Sequence, residues 1–332
     1  MIRAAIVGLG RWGQNLVNCV RTSEAIRFTT ANTRTRTTAA GFCTNAGLCW
    51  VDSLDAILAD RDIDAVVFAT PHTQHPEQVI RAAGAGKHVF VEKPFSLSLA
   101  TAIQAKAAAD KAGVVLAVGF NRRFHPSMGL LRDAVTSGRL GTLVTISAEQ
   151  TALHGIAMEA DAWRVRPDEA PAGAMTAIGV HLVDGMIDLF GSVRQVYAEV
   201  ARRAAPLADD TTDVLLRFEN GASGHIFCST AATPHYRMAV YGTKGFAEVL
   251  GHQMTTFRLV PVGDSGHFSA GTPEVTETTG FNMLTAELEA FAASIAGGQP
   301  FPTPLRQIMH GVAVFEAVAA SAVQGRTVAV QA

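Results

Sequence analysis

The sequence predicts a two-part α/β chain. A Rossmann-type doubly wound parallel sheet is expected over residues 1–120, followed by an α+β domain with a large, mainly antiparallel sheet over 121–332. Three observations carry this reading. Up to residue 120, short continuous apolar runs alternate with helical stretches, as parallel strands covered on both faces require. After Pro126 the strand runs follow one another directly, joined by turns such as Glu219-Asn220-Gly221, the short connection that antiparallel neighbours use. At 332 residues the chain is long enough for about two domains.

In order, residues 4–7 form an apolar strand stopped by Gly8, and a helix follows over 10–23. A strand over 26–31 and a helix over 35–46 come next, then a short strand at 49–51 and a helix over 53–60. The buried strand at 65–69 precedes a helix over 73–85, the strand at 88–91 a helix over 98–112, and 114–118 closes the series. Right-handed crossovers then wind the sheet in both directions. In the second part a helix over 126–138 leads into strands at 142–151, 193–203, 211–219, 222–231, 236–242, 246–250 and 254–260, interrupted by a helix over 180–190. Residues 262–280, polar and rich in Gly and Thr, read as an exposed loop, and helices over 281–297 and 304–325 end the chain.

Composition excludes several classes. With 48% hydrophobic and 17% charged residues the chain is globular and not disordered. A net charge of -2 makes no case for nucleic acid or an anionic membrane surface as partner, and Arg122-Arg123 and Arg202-Arg203 are too short to make a basic face. The apolar runs fall short of the roughly 20 residues that span a bilayer. Cys19, Cys43, Cys49 and Cys228 form no CxxC pair and no zinc spacing with histidines, so no metal site is expected. They read as free thiols in a reducing compartment. Met1 leads straight into a strand with no basic, then apolar, leader, so the expected location is the cytoplasm and the expected partner a small-molecule substrate.

Four motifs carry chemistry. Gly8-Leu9-Gly10-Arg11-Trp12-Gly13 follows a strand and opens a helix, the context in which this spacing binds a dinucleotide. Gly8 permits the tight turn, Gly10 the approach of the pyrophosphate and Gly13 the packing of helix on strand, with the anion on the helix N-terminus. About 20 residues on, where an acidic residue would grip the ribose 2′-hydroxyl, stand Thr33 and Arg34, with Arg36 close by. No carboxylate repels a 2′-phosphate there and a guanidinium is available to pair with it, so NADP(H) is favoured and NAD(H) is the alternative. On the other reading, Arg34 and Arg36 are solvated at a helix start.

Thr70-Pro71-His72-Thr73-Gln74-His75 lies at the carboxyl end of a sheet strand, where such folds bind ligands. Pro71 shapes the turn and Thr73 is placed to cap the next helix. His75 reads equally as a cofactor contact or as a plain helix-surface histidine. Val91-Glu92-Lys93-Pro94 ends another strand, and Pro94 holds Lys93 in extended backbone. An ammonium beside a nicotinamide suits proton transfer, because the ring's positive charge and partial desolvation both lower its pKa.

Together these motifs, with Gly119-Phe120-Asn121-Arg122-Arg123-Phe124-His125-Pro126, Trp163-Arg164, the stretch GVHLVD at 179–184, YGTKG at 241–245 and SAVQGRTV at 321–328, resemble the Gfo/Idh/MocA oxidoreductases over nearly the whole chain. The resemblance implies hydride transfer to or from a nicotinamide, with a substrate cleft between the two domains. It also implies Glu92 and Lys93 beside the nicotinamide ribose, often with a cis Lys-Pro bond, and a homodimer or homotetramer formed through the open face of the second sheet. His181 matches the family's catalytic histidine, and Trp163, Arg164 and Arg123 are expected to help line the cleft.

One departure matters. Many sugar-oxidising members carry an Asp four residues before that histidine, and here the position is Ala177. Asp184, three residues past His181 and on the same helix face, is placed to orient His181 or to pair with Lys93. The alternative is a structural pair at a helix N-terminus. The expected reaction is alcohol–carbonyl oxidoreduction at a secondary carbon of a sugar or cyclitol, with Lys93 and His181 handling the proton. The alternatives are a trans-dihydrodiol or related cyclic substrate, and a dinucleotide-binding sensor that does not turn over.

Overall fold

A computed structural model describes residues 1–265 and 269–331 of the chain. The first half alternates strictly: β1 (Ile2–Val7), α1 (Arg11–Cys19), β2 (Ile26–Asn32), α2 (Arg36–Ala46), β3 (Cys49–Trp50), α3 (Leu54–Ala59), β4 (Ala65–Phe68), α4 (His75–Gly84), β5 (His88–Glu92), α5 (Leu99–Ala112) and β6 (Leu116–Gly119). The six strands are parallel, in the order β3-β2-β1-β4-β5-β6. The winding therefore reverses between β1 and β4, the topological switch point at which open α/β sheets bind ligands beyond their strand ends. The buried runs Ala65–Phe68 and Ala4, Ala5, Ile6 and Val7 are enclosed on both faces, which explains their unbroken apolarity. Ser98 caps α5 by accepting from the Thr101 N–H, and Gly113 ends it in the left-handed region.

The second half begins with a 3₁₀ turn at Asn121–Phe124 and α6 (Pro126–Thr136). Then come β7 (Leu143–Thr151), a π-helical turn at Met175–Gly179, α7 (Val180–Phe190), β8 (Val193–Ala201), β9 (Thr211–Phe218), β10 (Ser223–Ser229), β11 (His235–Gly242), β12 (Gly245–Leu250), β13 (Thr256–Pro261) and β14 (Glu274–Glu277). Two helices, α8 (Met283–Ile295) and α9 (Leu305–Gln324), and the short β15 (Val328–Ala329) end the chain. The nine strands run in the order β14-β13-β12-β11-β7-β10-β9-β8-β15, antiparallel throughout except where β10 pairs with β7. The π-helical turn, α6 and α7 pack on one face of this sheet. β9 alternates accordingly, with Thr212, Val214, Leu216 and Phe218 buried and Asp213, Leu215 and Arg217 exposed on the open face.

Three expectations change. Residues 262–280 are not all loop: Glu274–Glu277 pairs with β13, and Val262 bridges to Ala270. Residues 266–268 of that stretch lie outside the described residues. The strand is fully exposed at the sheet edge, so it shows no apolar alternation, and pairing alone defines it. Thr73 does not occupy the N-cap of α4, because a 3₁₀ turn at His72–Gln74 precedes it and the cap position is Gln74. The chain also divides differently from a single cut near residue 120. Met1–Asn121 and Asn282–Val312 form one compact unit, and Arg122–Phe281 with the chain from Ala313 onward form the other. Helix α8 belongs to the first unit because Leu288, Phe291 and Ala292 bury themselves in its core with Ile6, Leu16, Ile26 and Val67. The Phe291 ring meets Phe90 edge-on at 5.7 Å. Burial of Leu288 and Phe291 contributes about 1.5–3 kcal/mol each.

Candidate active site

In the first unit the predicted residues gather along the carboxyl edge of the parallel sheet. Gly8 follows β1 with φ +96°, and a Cβ there would stand 2.4 Å from the Ala69 carbonyl oxygen, so only glycine makes this turn. A Cβ on Gly13 would stand 2.1 Å from the Gly8 carbonyl oxygen, which is the close helix–strand approach. A Cβ on Gly10 would meet no protein atom within 4 Å. Gly10 caps α1 without a side-chain hydrogen bond, and no acidic residue stands in the first turn, so the amides at this end face open space with positive potential. A dinucleotide pyrophosphate fits here. Arg11 is exposed on this turn, and the Trp12 ring is half-buried with its Nε1–H enclosed and unpartnered.

Thr33 and Arg34 follow the last residue of β2, with Thr33 half-buried and Arg34 exposed. Arg36 starts α2 and stacks its guanidinium on Trp50, 4.6 Å from the ring centre. Arg34 and Arg36 are both exposed, and of the two Arg36 is the one that stacks on a ring.

After β4, Thr70 donates its hydroxyl to the Gln78 side chain at 2.6 Å, which ties the Pro71 turn to α4. His72 is buried and meets the His75 ring edge-on at 5.9 Å. His75 is not on the helix surface. It is fully buried, with Nδ1 2.9 Å from the Pro94 carbonyl and Nε2 3.1 Å from that of Thr70. It thus clamps the loop after β4 against the loop after β5.

Strand β5 ends on Glu92, and Lys93 opens that second loop. The Lys93-Pro94 peptide bond is cis. Glu92 is buried, and it faces Gly119 across the β5–β6 pair. A Cβ on Gly119 would stand 2.9 Å from Glu92 Oε1, so glycine makes the room for the carboxyl. The Lys93 N–H donates to Glu92 Oε2 at 3.3 Å. The Lys93 side chain is half-buried.

In the second unit the π-helical turn feeds into α7, and π-helical turns often mark functional sites. A Cβ on Gly179 would stand 2.9 Å from Cys228 Sγ, so this glycine lets the helix start press on the sheet. His181 sits in the first turn of α7 at 8% exposure. Ala177 is the one half-exposed residue in an otherwise buried run from Ala172 to Asp184.

Asp184 is engaged by Arg123. It takes a bidentate grip from Arg123, Nε to Oδ2 and Nη2 to Oδ1, both at 2.7 Å, and Arg123 Nη1 donates to Asp188 at 3.0 Å. Burial alone would lower Arg123, and the facing Asp184 and Asp188 outweigh it and raise it above the usual guanidinium range. Arg123 and Asp184 therefore position α7. Trp163 and Arg164 lie on a separate 3₁₀ turn, Trp163–Val165, with the guanidinium 4.1 Å over the indole ring.

The sequence reading passed over Arg122, Tyr236 and Gln150. Arg122 Cζ lies 5.0 Å from the Tyr236 ring centre. Burial pushes the Tyr236 hydroxyl up to about 12. Burial and the Arg122 charge hold His125 below the ordinary imidazole range. Asp184 and Asp188, one helical turn apart, were the signal that Arg123 would be consumed in ion pairs and its neighbour left over.

Fold and glycine turn define a dinucleotide-binding protein of the oxidoreductase class. An oxidoreductase family with an NAD-binding Rossmann fold matches residues 2–120, and the GFO/IDH/MocA C-terminal domain matches 129–248. The uncharacterized oxidoreductase YrbE of Bacillus subtilis (strain 168) is 34% identical over 279 residues, 74% of this chain and 79% of its own. Inositol 2-dehydrogenase of Rhizobium meliloti (strain 1021) is 28% identical over 346 residues, 99% of each chain. In fold the chain is similar to a levoglucosan dehydrogenase solved with NADH and L-sorbose, at 21% identity, TM-score 0.87 and 99% coverage of each chain. The chain belongs to the Gfo/Idh/MocA family of oxidoreductases. Among the described residues no helix is long and apolar enough to cross a membrane.

Proposed function

We propose that this chain is an NAD(P)-dependent dehydrogenase acting on a secondary alcohol, or the matching carbonyl, of a sugar, cyclitol or related cyclic compound. One observation carries the reading. The glycine turn after β1, the Thr70 turn after β4 and Glu92-Lys93 after β5 end adjacent strands of one sheet, on its carboxyl edge. Two strand spacings, about 10 Å, separate the pyrophosphate-binding turn from the Lys93 strand. The bound cofactor supplies or takes the hydride. Gly8, Gly10, Arg11, Trp12 and Gly13 hold its pyrophosphate half, with Thr33 and Arg34 at the adenine ribose. Thr70, Pro71, His72 and Glu92 line the edge between, and His75 holds two of its loops in place.

Lys93 carries the hydroxyl proton, and His181 is the second group for that proton. Trp163 and Arg164 contribute to substrate binding. Arg34, exposed and without an acidic neighbour in the strand-end turn, supports NADP(H) over NAD(H). The first unit is the cofactor domain and the second the substrate domain. A homo-oligomer through the open sheet face fits the exposed Leu215, which pairs with Tyr197 and His225. A reducing, cytoplasmic setting fits four unpaired cysteines.

The test follows nicotinamide absorbance with glucose, inositol and cyclic diols in the presence of each cofactor. Turnover of a cyclic secondary alcohol supports the proposal, and dinucleotide binding without turnover of any panel member overturns it in favour of a sensor.

A further inference from the structure

His75 faces an acceptor on each side of its ring. Nδ1 lies 2.9 Å from the Pro94 carbonyl oxygen, and Nε2 lies 3.1 Å from that of Thr70. A neutral imidazole carries one N–H, so in either tautomer its other nitrogen turns a lone pair toward one of these oxygens. The imidazolium carries a donor on both nitrogens and serves both carbonyls. The residue is fully buried, so bulk solvent does not reach the ring to relieve either contact. Burial disfavours the charge, and so does the positive end of α4, whose first residue is His75. Two hydrogen bonds to the charged form favour it, each roughly twice as strong as a neutral one. The distances weigh for the charged form. Facing lone pairs repel, whereas 2.9 and 3.1 Å are ordinary N–H···O separations.

The elements packed on α4 bring these titratable and charged groups. The 3₁₀ turn before it carries the His72 ring, edge-on at 5.9 Å. β4 carries none, and β5 begins with His88 and ends with the buried Glu92, two residues before Pro94. α5 carries Lys106, Asp110 and Lys111, and Lys106 pairs with Asp110. α4 itself carries Glu77 and Arg81, and Arg81 pairs with Asp55. The loop after β5 adds Lys93, next to Pro94. The ring that holds the Pro94 carbonyl thus acts one residue away from Lys93.

We propose that His75 is a positioning residue held as an imidazolium, whose two N–H groups fix the loop that Lys93 opens against the turn after β4. Loss of one proton leaves one carbonyl without its donor and slackens the loop beside Lys93. The doubly protonated form gains its partners only in the fold, so the clamp is complete at low pH and is lost as pH rises through the raised folded value. The effect on Lys93 rests on the dehydrogenase reading above, and the charge of the ring does not.

The test is an NMR titration of the full chain labelled with ¹³C and ¹⁵N. The His75 ring signals are assigned by their loss in His75→Gln or, should that variant not fold, through the bonded carbons of the wild type. At about pH 7.5, one unit above the ordinary imidazole value of about 6.5, both ring nitrogens are expected to carry protons. On raising the pH further, the Thr70 and Pro94 carbonyl signals are expected to move with the ring at one midpoint, which a neutral packing residue would not cause. A ring nitrogen without its proton at about pH 7.5, or carbonyl signals that ignore the ring, overturns the proposal. In kinetics, His75→Gln is expected to lower kcat by about 10–100-fold with a smaller change in KM, since a slight misplacement of a reacting group costs that much. An unchanged kcat overturns the positioning role. A doubly protonated ring in a chain that turns nothing over keeps the clamp and sinks the dehydrogenase reading, and a neutral ring in an active enzyme does the reverse.

Discussion

The Arg123 guanidinium grips the Asp184 carboxylate through two parallel hydrogen bonds of 2.7 Å. Both side chains are about 95% buried, and Asp188 completes the cluster by accepting from Arg123 and Arg132. Removing one partner strands a buried charge. Arg123→Ala is expected to lower unfolding free energy by about 3–5 kcal/mol in denaturant titration. A loss below 1 kcal/mol would mean the cluster does not hold α7.

Lys93→Ala is expected to cost about 10²–10⁴-fold in kcat, the usual loss for a positioned acid–base group. The fold and dinucleotide binding should survive, because the glycine turn lies on a different strand. Steady-state kinetics beside fluorescence titration of the cofactor separates the two effects. A near-normal kcat removes Lys93 from the proton step.

Arg34→Ala is expected to weaken NADPH by about 10–100-fold and to leave NADH unchanged, since one charge-assisted contact to the 2′-phosphate contributes about 1.5–3 kcal/mol. Equal wild-type affinity for the two cofactors contradicts the preference.

Asp210 yields a prediction about pH. Burial pushes its carboxyl up, but the N–H groups of Ala205, Ala204 and Arg203 and the Thr211 hydroxyl all donate to it and together hold it below the ordinary range. With the folded pKa depressed, its stabilisation is present above the unfolded value of about 3.9 and is lost as pH falls through the folded one. Asp210→Asn should therefore cost about 1–3 kcal/mol at neutral pH. Thermal unfolding across pH should show the gap from wild type closing below about pH 3.9. A gap independent of pH would assign the loss to shape and not charge.

Ala177 leaves a half-exposed position without a carboxylate. Weak kcat/KM on free hexoses is expected, since a site without that acceptor gains little from extra hydroxyls. Ala177→Asp should raise kcat/KM for glucose by roughly 10–100-fold. High wild-type activity on glucose, or no gain in the variant, would show that position 177 does not set specificity.

Much of the first unit was legible because its chemistry is local. The glycine turn, the Thr70 turn and Glu92-Lys93-Pro94 each lie within a few residues of a strand end, and apolar runs locate strand ends directly. The parallel sheet then brings those ends to one edge without further information. Even so, position alone left His75 open between a ligand contact and a surface residue, and only the carbonyls of Thr70 and Pro94, brought in by packing, make it a buried clamp.

The second unit shows where local reading stops. The sequence by itself determined that Arg123, His181 and Asp184 were the polar groups to watch, and that position 177 lacks a carboxylate. The tertiary structure decided that Arg123 belongs to Asp184, that Arg122 lies over Tyr236, and that Gln150 sits beside the same ring. It also decided that α8, distant in sequence, completes the first core. The physical reason is common to all of these. A charge takes whichever opposite charge or open space folding brings within about 4 Å, and an apolar helix face takes whichever core it can fill, and neither partner is encoded near the residue that needs it.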